Sequence, residues 1–173
     1  MKKLAGLFGC YLMIVALAGP PVSAADGAEI IVSADQREQI RDLISKYSYA
    51  LDNGREEEWL DLLTEDTWFE TPVGNPRGTE ALRRWFKERI ASRHADVQVR
   101  HYALNTIIVP VSEGIVLARS MLLYTRQNIK ERLSAKVYAT GVYEDEIHLM
   151  DKGWRLVSHK MGTVLPLDSK YFK

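Results

Sequence analysis

Ser33-Ala34-Asp35-Gln36-Arg37-Glu38-Gln39-Ile40-Arg41-Asp42-Leu43-Ile44-Ser45-Lys46-Tyr47-Ser48-Tyr49-Ala50-Leu51-Asp52-Asn53-Gly54 reads as one amphipathic helix with both ends marked. Ser33 offers a hydroxyl at the N-cap and Gln36 a side-chain amide three residues on, the pairing of a capping box. Ile40, Leu43, Ile44, Tyr47 and Leu51 recur at helical spacing and form a single apolar stripe. Asn53 and Gly54 both tolerate the left-handed conformation that stops a helix.

The chain beyond this helix changes character once. A second, shorter helix is expected over about 56–64, with Trp59, Leu62 and Leu63 facing inward. Thr67-Trp68-Phe69-Glu70-Thr71 reads as a strand stopped by Pro72, and 73–78 is a loop rich in turn residues. A third helix over about 80–91 buries Leu82, Trp85, Phe86 and Ile90. Four long segments rich in β-branched and aromatic residues follow, at 97–109, 115–127, 133–149 and 154–165. Ser112-Glu113-Gly114 and Asp151-Lys152-Gly153 mark tight turns between members of this set. Helices first and hairpin-linked strands afterwards give an α+β layout, three N-terminal helices packed on one face of a curved antiparallel sheet.

The opening residues stand apart from this domain. Lys2 and Lys3 precede an apolar run from Leu4 to Ala18, which Gly19, Pro20 and Pro21 break. Val22-Ser23-Ala24 then supplies small residues for a signal peptidase, with cleavage expected after Ala24. The run is shorter than the roughly 20 residues a membrane span needs. The expected division is therefore a signal peptide over 1–24, a linker over 25–32 and a single domain over 33–173. The product would be periplasmic or secreted, with no stable membrane association. Removing 24 of the 173 residues leaves 149, with 21 basic side chains against 23 acidic, because only Lys2 and Lys3 are lost. That balance offers no basic face for nucleic acid. Cys10 is the single cysteine and leaves with the leader, which excludes a disulfide and thiol chemistry from the mature chain.

Two residues stand out chemically. Asp52 closes the first helix. His101 interrupts an apolar strand face that strict alternation assigns to Val97, Val99, His101, Ala103, Asn105 and Ile107. His101 and Asn105 on such a face need partners, either as a satisfied core pair or as the lining of a cavity. A carboxylate and an imidazole at the edge of an apolar surface can move a proton without a cofactor. Tyr47, five residues before Asp52, could donate to a substrate oxygen. Trp68, Tyr124, Tyr138 and Tyr143 are candidates for core or ligand wall. Asp145 is a reserve carboxylate for His101, and His94 and His148 read as solvated. No metal-ligand spacing, no glycine-rich phosphate loop and no nucleophile elbow is present in the sequence. What remains is cofactor-free acid–base work or plain ligand binding.

The helix 40–51 with Tyr47 to Asp52, Trp59-Leu60-Asp61-Leu62-Leu63, Thr64 to Glu70, Gly78-Thr79-Glu80-Ala81-Leu82, Arg100-His101 with Asn105, Tyr143 with Asp145, and Gly153-Trp154-Arg155-Leu156 occur in this order along the chain. Together these segments resemble SnoaL-like domains of the nuclear transport factor 2-like superfamily. The resemblance implies a cone-shaped sheet wrapped around an apolar pocket and closed by the helices. It implies a catalytic pairing of Asp52 with His101, supported by Tyr47, and places His159 where many members carry a ligand-reaching Arg. Trp68, Asn105, Tyr138 and His159 are then the expected substrate contacts. The expected activity is a cofactor-independent lyase or isomerase reaction, such as dehydration or retro-aldol-type cleavage, on a small apolar, aromatic or polycyclic molecule. A non-catalytic periplasmic binding protein or an assembly subunit is the alternative. The resemblance also implies a homodimer or homotrimer.

Overall fold

The computed structural model describes residues 30–91, 95–132 and 134–162. The expected leader, most of the linker, His94 and the final residues of the last expected strand lie outside them. Helix α1 spans Ala34–Asp52. Its capping box forms as read: Ser33 Oγ accepts the Gln36 N–H at 3.2 Å, and Gln36 Oε1 accepts the Ser33 N–H at 2.9 Å. At the other end Asn53 Nδ2 donates to the Tyr49 carbonyl at 2.7 Å, and Gly54 turns the chain at φ +69. Helix α2 is one short piece, Glu56–Leu60, because Leu63 already belongs to strand β1, Leu63–Glu70. Helix α3 covers Thr79–Phe86 and widens into a single π-helical turn over Lys87–Ala91.

Four strands follow: β2 Val97–Ser112, β3 Ile115–Asn128, β4 Lys136–Met150 and β5 Gly153–Gly162. The sheet order is β1-β5-β4-β3-β2. The hairpin-linked pairs are antiparallel as expected, but β1 joins β5 in parallel. A tight turn dictates an antiparallel neighbour, and β1 has no such turn to dictate its direction. Thr67, fully buried, fastens this edge by donating its hydroxyl to the Leu156 carbonyl at 2.6 Å.

The long strands curl because their pairing slips. Register breaks fall between Leu104 and Ile107, between Tyr124 and Thr125, and between Glu146 and Ile147. Each inserts an irregularity that bends and twists the strand. The break in β2 centres on Asn105, held at φ +52, and it reverses the alternation. Val99 is buried before it; afterwards Ile108 is buried and Ile107 stands 58% exposed. The expectation that Asn105 and Ile107 share the inner face with His101 is thereby overturned. Asn105 is exposed, its Nδ2 lying 3.6 Å from Met121 Sδ. A β-branched side chain at this φ clashes with its own backbone. Asn105→Val is expected to cost about 1–2 kcal/mol in urea denaturation, with Asn105→Gly close to neutral because glycine lacks the clashing Cβ.

The concave face is filled at one end only. Ile108, Val116, Ala118, Ile147, Trp154 and Leu156 pack there against Ile40, Leu43 and Ile44 of α1. An aromatic box continues the core: Trp59 meets Phe86 at 5.1 Å, Phe69 at 5.7 Å, Tyr47 at 5.9 Å and Trp85 at 6.0 Å between ring centroids. Beyond that box the face opens into a pocket. No described helix is long and apolar enough to cross a membrane.

Candidate active site

The pocket is a cavity of about 370 Å³ at the open end of the curled sheet. Val99 and His101 of β2 and Tyr124 and Arg126 of β3 form one wall. Tyr138 and Tyr143 of β4 and His159 and Met161 of β5 form another. Tyr47 and Leu51 of α1, Phe69 of β1, and Trp85, Arg89 and Ile90 of the α3 region close it. The size and mostly apolar lining suit a small organic molecule.

Asp52 and His101 meet. His101 Nδ1 lies 2.6 Å from Asp52 Oδ1, and Asp52 Oδ2 accepts the His101 backbone N–H at 2.7 Å. The carboxylate side chain is 3% exposed and sits behind the imidazole, whose side chain is 15% exposed and lines the cavity. With Nδ1 held by the carboxylate, Nε2 is the nitrogen left to face a ligand. The Tyr124 ring stacks on His101 at 4.5 Å and 30°, which restrains the ring on its second face.

A second pair of the same kind occupies the same cavity. His159 Nδ1 lies 2.6 Å from Asp145 Oδ1, with both side chains buried. Asp145 is thus the partner of His159 and not, as the sequence suggests, a reserve partner for His101. Three rings enclose this imidazole: Tyr143 at 4.6 Å, Phe69 at 5.1 Å and Tyr47 at 5.2 Å between centroids. Tyr47 stands between the two pairs. Burial pushes its phenol well above the ordinary tyrosine value, with Tyr143, Asp145 and Asp52 adding in the same direction. It stays a protonated donor across the neutral range.

Of the other expected contacts, Tyr138 lines the cavity and meets Tyr124 edge-on at 5.7 Å. Trp68 and Asn105 do not line it. Alternation along β1 buries Thr67 and Phe69, so Trp68 points to the outer face, where Lys160 Nζ lies 5.4 Å from its ring centroid. His148 is not simply solvated, since its Nε2 lies 2.7 Å from Glu146 Oε1. Phe69, Trp85, Arg89 and Arg126 are lining residues that sequence patterning did not single out. Among the described residues no group of three or more His, Cys, Asp or Glu side chains is placed to hold a metal ion.

The curled five-stranded sheet with helices closing a pocket is the NTF2-like or cystatin-like architecture. A SnoaL-like domain model matches residues 32–160, and the chain belongs to that family. No functionally curated protein matches it in sequence. Among solved structures it is similar to a protein from Novosphingobium aromaticivorans provisionally named an aromatic ring hydroxylase. The identity is 22%, with 80% of this chain and 95% of that chain covered and a TM-score of 0.67. A second protein of that organism, provisionally named a scytalone dehydratase, is 25% identical over 77% of this chain and 89% of its own, with a TM-score of 0.64. A cystatin-like fold protein of unknown function from Nostoc punctiforme is 21% identical over 76% and 93%, with a TM-score of 0.64.

Proposed function

We propose that the protein is a cofactor-independent lyase or isomerase acting on a small, mostly apolar molecule with an oxygen function, aromatic or polycyclic in body. The observation that carries this reading is the Asp52–His101 pair at the wall of an apolar cavity. In this mechanism His101 Nε2 removes a proton from a carbon or a hydroxyl of the substrate. Asp52 fixes the tautomer through Nδ1 and stabilises the imidazolium as it forms, as in other carboxylate–imidazole pairs. The electron pair released moves toward the substrate oxygen, where the neutral Tyr47 phenol donates a hydrogen bond. The apparatus suits double-bond migration, loss of water and retro-aldol-type cleavage alike. The name of the 25%-identical neighbour agrees with a dehydration.

Export and self-association belong to the same proposal. The basic and apolar opening of the chain supports the first. The exposed Tyr102, Leu104 and Met121 on the outer sheet face support the second.

Octalone, a fused bicyclic enone, tests the reaction class. In D2O the protein is expected to speed exchange of the γ-hydrogens by about 10²-fold or more over the same concentration of free imidazole, followed by proton NMR. Octalone that binds, by calorimetry, yet exchanges at the imidazole rate would favour the binding-protein reading.

A further inference from the structure

The structure holds a carboxylate–imidazole pair that the reaction above leaves unused. Asp145 and His159 are adjacent across β4 and β5, 3% and 5% exposed, and joined at 2.6 Å. A buried carboxylate and imidazole are costly to enclose and gain little as packing compared with apolar residues of similar volume. His159 nevertheless lines the cavity. Its Nδ1 is taken by Asp145, so Nε2 is the nitrogen available to a ligand, the same arrangement as at His101. We propose that Asp145–His159 is a second proton-transfer pair, and that His159 Nε2–H protonates the substrate oxygen while His101 takes the carbon-bound proton. This rests on the reading of His101 as the base.

The step balances. The C–H bond breaks and its proton goes to His101 Nε2. The electron pair becomes a new carbon–carbon π bond. In an enone the displaced π pair reaches the carbonyl oxygen, which takes the Nε2 proton of His159 to give a dienol. His101 ends as imidazolium and His159 as neutral imidazole; exchange with water resets both. Asp145 positions His159, as Asp52 positions His101. Among the described residues, the groups against His159 include Tyr47 from α1, Tyr143 and Asp145 from β4, and the Phe69 ring from β1, and Arg89 and Arg126 line the same cavity.

The placement also narrows the substrate. His101 lies on β2 and His159 on β5, with β3 and β4 between them. Three strand intervals amount to on the order of 14 Å across a flat sheet, and the curl shortens that span. That separation suits a conjugated substrate whose oxygen is remote from its acidic carbon, as the carbonyl oxygen and γ-carbon of an enone are.

Octalone γ-exchange distinguishes the outcomes. His159→Gln is expected to lower the exchange rate constant by about 10²-fold or more, with octalone affinity changed less than about threefold. Because that variant leaves Asp145 buried without its partner, His159→Gln/Asp145→Asn serves as the folded control and should show the same loss. In the wild-type protein, nitrogen-15 NMR should show the His159 Nε2 signal moving when naphthol, a planar enol mimic, is added. Wild-type exchange rates in either variant, or an unmoved Nε2 signal, would overturn the proposal. If His101→Gln is silent while the His159 variants are fully active, only this inference fails. A silent wild-type protein removes the base reading and this one together.

Discussion

His101→Gln is expected to abolish turnover, a fall of about 10⁴-fold or more, while leaving ligand affinity within about threefold. Glutamine is close to histidine in volume, and its amide can still donate to Asp52 Oδ1. It cannot accept a proton from carbon. The backbone N–H at position 101 would keep its bond to Asp52 Oδ2, so β2 should remain in place. The Tyr124 ring would lose its stacked partner, a loss worth about 0.5–1.5 kcal/mol and too small to unfold the chain. Circular dichroism, calorimetry with octalone and the γ-exchange rate together separate a chemical defect from a structural one. A variant that binds weakly yet turns over at the wild-type rate would refute the assignment of His101 as the base.

Trp59→Ala is expected to destabilise the fold by about 3–5 kcal/mol, a large part of the roughly 5–15 kcal/mol typical of a whole domain. The side chain is fully buried and touches four other rings. Helix α2, five residues long, is too short to hold itself; this indole is what holds it to the sheet. Thermal melting should show a drop of roughly 6–20 °C. A loss under about 1 kcal/mol would mean that the aromatic box closes around the gap. Tyr47 packs against the same ring, so the phenol should loosen in this variant even where the fold survives.

The sequence makes the helices and the α+β order legible because both rest on local signals. A capping box, a stripe at 3.6-residue spacing and tight turns need no knowledge of the rest of the chain. Asp52 and His101 stand out in the sequence because one closes the amphipathic helix and the other interrupts an apolar strand face. What failed depends on register. Strict alternation places Asn105 inward, and one residue with positive φ reverses that alternation. Trp68 is an expected substrate contact, whereas the phase of β1, with Thr67 and Phe69 buried, turns it to the outer face. Counting back from the turn at Asp151 and Lys152 pairs Asp145 with Ser158. The break between Glu146 and Ile147 shifts that pairing by one and brings His159 opposite Asp145. Bulges leave no reliable local mark in composition, so strict counting along β4 and β5 does not reveal the second pair. The parallel docking of β1 is illegible for a related reason: no short connection encodes it.

One carboxylate serves two masters in this molecule. Asp52 grips the main chain of β2 with one oxygen and the ring of His101 with the other, and β2 is the outermost strand on that side. The end of α1 is therefore riveted to the rim of the sheet by the same group that holds the His101 ring. Damage at position 52 should register twice, as lost chemistry and as a detached rim, and a selection for activity alone would score the two as one defect. Only changes at position 101 that spare the main chain can tell the rivet from the reagent.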